Sequence, residues 1–232
     1  ARVIASDLRA GAPAGAQDAL ETVADASSDW FERQADCLLT GVMEGLDLAT
    51  APLVAAALQV YWTHMATTLM QRADGRGQPF GRIDDETACP CCGSRPVTSI
   101  TRSSGESLGQ RYLHCSLCSL QWHMVRIKCP NCLSTKSLAY QSLDAAGAGG
   151  EASQRVANAA LQAETCDDCG SYLKIMHTDR DPFVEPVADD LASLTLDLLV
   201  SEAGYQRHGV NLMLLFGAPD APPDPPPAQG GG

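Results

Sequence analysis

Between residues 17 and 81 apolar side chains return every three to four positions, the period of helices that bury one face. Ser28 stands as an N-cap ahead of a helix carrying Trp30, Phe31, Cys37, Leu38 and Met43, with Gly41 or Gly45 near its end. Thr50 caps a second helix with Pro52 in its first turn, and Val54, Leu58, Tyr61, Met65 and Leu69 mark one face that reads as core. Gln59, His64, Gln71 and Arg72 interrupt that helix, so membrane insertion is not expected. Gly75 and Gly77 break it, and Asp74–Gln78 reads as a linker.

From Arg82 to Arg180 the pattern changes to short strands between turns. The strand expectations are Pro96–Thr101, Arg111–His114, Val125–Lys128, Lys136–Gln141 and Tyr172–Met176, with turns at Ser103–Gly109 and Asp144–Gly150. A C-terminal helix is expected near Val187–Glu202, its Leu191, Leu194 and Leu198 on one apolar face. Six prolines and three terminal glycines in residues 218–232 leave nothing to build a core, so a mobile tail is expected. The chain thus reads as multi-domain α and β: a helical domain at 1–81, lobes at 82–128 and 129–185, a helix within 186–217, then the tail.

Ten cysteines set the chemistry. Eight form four C-x-x-C pairs, Cys89/Cys92, Cys115/Cys118, Cys129/Cys132 and Cys166/Cys169. Chance placement would yield roughly 0.4 such pairs, so the spacing is meaningful. Two intervening residues let a tight turn aim both sulfurs at one point, and two such knuckles complete a tetrahedron around a metal ion. Four knuckles therefore predict two four-thiolate centres. Twenty-two residues lie between Cys92 and Cys115, ten between Cys118 and Cys129, and thirty-three between Cys132 and Cys166. Sequential pairing fits these loops: Cys89, Cys92, Cys115 and Cys118 in one centre, Cys129, Cys132, Cys166 and Cys169 in the other. A crossed arrangement, first knuckle with third and second with fourth, stays open. Gly93 and Gly170 follow knuckles and permit turns that point N–H groups at sulfur.

A disulfide framework belongs to an oxidising compartment, and residues 1–16 mix Arg2, Asp7 and Arg9 with small residues instead of forming an apolar leader. A reducing cytoplasm is the expected setting. A thioredoxin-type pair needs one C-x-x-C at a strand-to-helix junction, whereas strand and turn sequence flanks these four. Each lobe is too small to bury a sufficient core unaided, and a structural four-thiolate site contributes on the order of 10 kcal/mol to folding.

The chain is 45% hydrophobic and 19% charged over 232 residues, ordinary globular composition. A net charge of −12 argues against binding nucleic acid or an anionic membrane, which requires a cationic surface. The charge is unevenly spread. No acid occurs from Leu108 to Leu143, where Arg111, Arg126, Lys128 and Lys136 do, so this stretch with Trp122 is a candidate docking face or a set of solvated charges. His114 and His123 flank the second knuckle as substitute ligands that eight cysteines make unnecessary. Cys91 reads as a spectator between two ligands, Cys37 as a small packing residue, and Trp122 as a packing residue over a lobe.

The motif series resembles the FdhE-type formate dehydrogenase accessory proteins. The matching stretches are Cys89-Pro90-Cys91-Cys92-Gly93-Ser94-Arg95-Pro96, Tyr112-Leu113-His114-Cys115-Ser116-Leu117-Cys118, Trp122-His123-Met124-Val125-Arg126, Cys129-Pro130-Asn131-Cys132, Glu164-Thr165-Cys166-Asp167-Asp168-Cys169 and Asp181-Pro182-Phe183-Val184-Glu185-Pro186-Val187-Ala188-Asp189-Asp190-Leu191. The resemblance implies a helical N-terminal part and two rubredoxin-like lobes, each able to hold iron on four thiolates. It also implies a role in maturing formate dehydrogenase by binding its catalytic subunit in the cytoplasm.

Sulfur ligation alone suits zinc as well as iron. Two other function classes remain: a rubredoxin-like electron-transfer or redox-sensing protein, which iron permits and zinc does not, and a zinc-ribbon nucleic-acid binder, which the acidic ends oppose. No nucleophile-and-base constellation appears, so no enzymatic activity is expected. A homodimer through the helices stays open.

Overall fold

A computed structural model describes residues 1–72, 85–104, 107–143 and 159–214. The expected linker at Asp74–Gln78, the turn at Asp144–Gly150 and the tail at 218–232 lie outside these residues, as does the tip of the Ser103–Gly109 turn. The described residues divide into two compact units, one built on residues 1–56 and the other on residues 57–212.

The first unit is helical. It contains α1 (Arg2–Leu8), α2 (Ala14–Asp25), α3 (Ser28–Thr40) and the start of α4 (Ala51–Arg72). Ala5, Leu20 and Val23 are buried together, with Trp30, Phe31 and Leu53 packed against them. The cap of α3 is Ser27, one residue before the expected Ser28, and its hydroxyl accepts from the Trp30 N–H. Gly41 ends α3 at φ 72°, a left-handed conformation that costs glycine little. Helix α1 lacked an apolar period and was not expected.

The second unit is built on one sheet. Its strands are β1 (Pro96–Ser104), β2 (Ser107–Cys115), β3 (Gln121–His123), β4 (Leu138–Gln141), β5 (Leu161–Cys166), β6 (Ser171–His177) and β7 (Gln206–Arg207). Their order is β3-β2-β1-β6-β5-β4. The β3-β2-β1 and β6-β5-β4 halves are antiparallel, and a parallel pairing, Ser99 opposite Ile175, joins them. The lobes therefore share a continuous sheet instead of standing as separate small domains. Strand β7 lies off this path and pairs parallel with β6 at Ser171 and Tyr172.

Two strand expectations need correction. Val125–Lys128 is a turn, closed by the Lys128 N–H on the Val125 carbonyl, and the strand lies at Gln121–His123. Strand β5 was not foreseen at all.

The expected C-terminal helix is split at Ser193 (φ −111°, ψ 34°) into α5 (Ala188–Ala192) and α6 (Leu194–Glu202). Its buried face is also different. Leu194 and Leu198 are exposed, whereas Leu196 and Val200 pack on Ala163 and Tyr172 of the sheet. Asp190 and Asp197 are buried because Lys174 and Arg207 bind them. The Lys174 Nζ lies 3.2 Å from Asp190 and 2.5 Å from Asp197, and Arg207 reaches both carboxylates at 2.5 and 2.6 Å.

The apolar face assigned to α4 is likewise rotated in its later turns. Val54 and Leu58 are buried or packed as expected, but Tyr61, Met65 and Leu69 are exposed, and Trp62 and Ala66 join Leu58 in covering the first cysteine cluster. Hydrogen bonds hold the helix in that orientation: Gln59 Nε2 donates to the Ser116 carbonyl at 2.8 Å, and Thr63 Oγ1 donates to Ser119 Oγ at 3.3 Å. No helix among the described residues is long and apolar enough to cross a membrane.

Candidate metal centres

In the first knuckle the Cys89 N–H donates to the Ser94 carbonyl and the Gly93 N–H to the Cys89 carbonyl, both at 2.9 Å. The second knuckle closes β2: the Cys115 N–H donates to the Leu120 carbonyl at 2.9 Å. Its Leu117 and Cys118 N–H groups donate to Cys115 Sγ at 3.3 and 3.4 Å. The sulfurs of Cys89, Cys92, Cys115 and Cys118 all lie within 4.8 Å of one another. Cys89 and Cys118 are 3.6 Å apart, Cys92 and Cys115 3.3 Å.

The second cluster repeats this construction. The Cys129 N–H donates to the Ser134 carbonyl at 2.7 Å, and the Gly170 N–H donates to the Cys166 carbonyl at 2.9 Å. Cys129, Cys132, Cys166 and Cys169 also lie within 4.8 Å of one another, with Cys129–Cys169 at 3.8 Å and Cys132–Cys166 at 3.7 Å. First knuckle thus meets second, and third meets fourth; the crossed arrangement is absent among the described residues. The residue after each knuckle has positive φ: Gly93 (76°), Ser119 (58°), Leu133 (62°) and Gly170 (64°). Two knuckles make this turn without glycine, and nothing in their composition signalled it.

All ten cysteines are free thiols. A tetrahedron with metal–sulfur bonds of ~2.3 Å has sulfur–sulfur edges of about 3.8 Å, so both donor sets are placed to take a thiophilic ion. Electrostatics point the same way. Hydrogen bonds from Cys115, Cys118 and Cys89 hold Cys92 far below the ordinary thiol range, while its neighbours Cys89 and Cys115 are pushed up. In the second cluster burial pushes Cys129 up to about 12. Burial would also raise Cys169, but hydrogen bonds from Ser171, Cys132 and Cys166 together outweigh it and hold that thiol at about 7. Four sulfurs this close cannot all ionise unaided, and a cation among them removes the conflict.

The two clusters differ in solvent access. Cys89, Cys115 and Cys118 are at most 2% exposed, under Leu58, Trp62 and Trp122. In the second, Cys132 is exposed and Cys169 half-buried. There the Asn131 amide Nδ2 donates to Cys169 Sγ at 3.7 Å and to Ser171 Oγ at 3.2 Å.

The remaining candidates fall outside both clusters. His114 is buried with its ring beside the Gln121 amide at 3.1 Å, and His123 packs edge-on against Tyr112. Trp122 packs against both Leu113 and the first cluster and donates to the Glu86 carbonyl. Cys91 packs half-buried beside the first cluster; Cys37 is half-buried on α3. Of the basic stretch, Arg126 and Lys136 are exposed and two other bases are paired. Arg111 is buried against Glu164 at 3.1 Å, and Lys128 pairs with Glu86 at 2.5 Å.

A mixed sheet bearing two four-thiolate clusters, with helices in a separate N-terminal unit, defines a class of cysteine-scaffolded proteins. Family models described as "FdhE, N-terminal", "FdhE, central domain" and "FdhE, C-terminal domain" match residues 1–77, 88–126 and 127–214 in turn. The chain belongs to the FdhE family. It is 40% identical to the FdhE homolog of Cronobacter sakazakii over 85% of this chain and 59% of the relative. Identity to the Yersinia enterocolitica homolog is 41%, over 91% and 63%. The crystal structure of FdhE from Pseudomonas aeruginosa is 38% identical, with a TM-score of 0.76, over 92% of this chain and 69% of that one. The chain spans about three fifths of the length of these curated relatives.

Proposed function

We propose that this chain is an accessory, non-enzymatic factor in the maturation of formate dehydrogenase, acting in the cytoplasm by binding the catalytic subunit. In this reading Cys89, Cys92, Cys115 and Cys118 ligate one metal ion and Cys129, Cys132, Cys166 and Cys169 a second, iron in preference to zinc. Membership of the FdhE family supports the role. The observation that carries the metal assignment is the gathering of each set of four sulfurs within 4.8 Å, in a sheet that joins the two clusters. When bound, each ion supplies a cross-link between two knuckles, and iron adds a one-electron couple. The chain's own groups do the rest: backbone N–H donors orient the sulfurs, and α4 keeps water from the first set.

The test is anaerobic co-purification of the metal-loaded, reduced chain with formate dehydrogenase catalytic subunit, alongside elemental analysis. Recovery of the subunit with two ions per chain is expected, and a Cys118→Ala variant loses the ion of its cluster. Recovery at background with fully loaded protein would sink the reading.

A redox role has one specific observation in its favour, the exposure of Cys132, which brings the second cluster to solvent. Visible absorption that bleaches on reduction identifies it, and zinc alone in both clusters ends it.

A further inference from the structure

The helical unit carries an open apolar groove that the cysteine clusters do not use. Its volume is about 480 Å3, and Leu8, Ala16, Ala19, Leu20 and Leu53 line it together with Asp7. Leu20 is 3% exposed and Leu8 50% exposed, so the apolar lining runs from the core out to solvent. The size is within the ~300–1,000 Å3 range of ligand-binding clefts.

Charge selects the occupant. Residues 1–56 hold nine carboxylates against three arginines. Arg9 is paired with Glu21 at 2.8 Å, and Arg2 donates to the Ala26 carbonyl and lies 5.4 Å from the centre of the Phe31 ring. Among the residues lining the groove the one charged side chain is an acid, Asp7.

We infer that this groove docks a basic amphipathic helix of a partner protein. Its aliphatic side chains enter the groove and its lysines or arginines meet the exposed Asp7 within a unit rich in carboxylates, the helix-in-groove mode with charge setting specificity. The inference rests on the groove alone. Its failure leaves the formate dehydrogenase reading intact, because co-purification scores the whole chain.

The probe is a fluorescein-labelled peptide of about 15 residues, four helical turns, with leucines on one face and arginines beside them. Saturable anisotropy with the full chain is expected, weakened about tenfold on raising salt from 50 to 500 mM. Asp7→Lys, an exposed change, weakens it about fivefold, and Ala16→Phe, which fills the groove, abolishes it with an unchanged circular dichroism spectrum. Equal binding of a glutamate-for-arginine peptide, undiminished binding to Ala16→Phe, or no saturation overturns the inference. So does a dimer in sedimentation that Ala16→Phe dissolves, which assigns the groove to a second copy. Binding seen only after deletion of residues 218–232 assigns it to the chain's own tail, and likewise overturns it.

Discussion

Arg111 on β2 and Glu164 on β5 form an ion pair across the junction of the two lobes, Nη1 to Oε1 at 3.1 Å, with both side chains at 0% exposure. The same guanidinium donates to Ser99 Oγ at 3.1 Å and to the carbonyl of Lys128 at 2.8 Å, one residue before Cys129. Glu164 stands two residues before Cys166. Burial pushes its carboxyl up to about 7, against the opposing pull of Arg111 and Arg126. One side chain of the first lobe thus organises the backbone entering the second cluster.

Removing either partner strands the other in the interior, a change that typically costs about 3–5 kcal/mol. Arg111→Met is expected to show that loss in urea unfolding of the metal-saturated protein at neutral pH. The double variant Arg111→Met/Glu164→Leu recovers a large part of it, because two apolar side chains leave no unpaired charge. A double variant no better than the single one would show that the hydrogen bonds to Ser99 and Lys128 matter more than the charge pairing.

The difference in burial between the clusters predicts an order of metal loss. A chelator reaches the exposed Cys132 before it reaches sulfurs lying under α4. Release of two ions in two phases is expected, monitored with a metallochromic dye. Cys132→Ala eliminates the fast phase and leaves one slowly released ion. Release of both ions at one rate would refute the ordering.

The eight cysteines and their grouping were legible because C-x-x-C spacing is local and the loops between knuckles have readable lengths. The joining of the lobes was not, since Ser99 pairs with Ile175 across a long stretch of chain and no local pattern encodes that parallel contact. Hydrophobic periodicity also misplaced the buried face of α6. It counted Leu194 and Leu198 as core, whereas the ion pairs to Lys174 and Arg207 draw Asp197 inward. The Val125–Lys128 expectation failed similarly: β-branched residues favour strands, but the turn there delivers backbone carbonyls to Arg111.

Gly209 predicts a sharp steric effect. A Cβ at this position would lie 2.5 Å from the Val97 carbonyl oxygen and 2.9 Å from Leu173 Cδ1. The segment must therefore move off β1, where the Val210 N–H donates to the Pro96 carbonyl at 2.9 Å. Gly209→Ala is expected to cost about 1–3 kcal/mol in denaturant unfolding. Wild-type stability would mean that the chain after β7 shifts freely.

His177 links stability to pH. In the fold its Nε2 lies 2.7 Å from Gln162 Oε1 and its Nδ1 3.0 Å from the Thr101 hydroxyl, so the neutral ring donates to one and accepts from the other. Burial holds it down at about 4, with Arg180 and Arg126 adding to the effect and Asp179 opposing it. An unfolded histidine titrates near its ordinary value of 6.5. Between these values the unfolded chain binds the extra proton, so this contribution is complete above pH 6.5 and is lost as pH falls towards 4. His177→Gln, which cannot take up that proton, is expected to flatten the stability profile in this window by up to about 1.4 kcal/mol per pH unit. Comparing variant with wild type at equal metal loading cancels the acid sensitivity of the thiolates, which both proteins share. Parallel profiles would place the neutral form of His177 outside the acid response, leaving the cysteines to account for it.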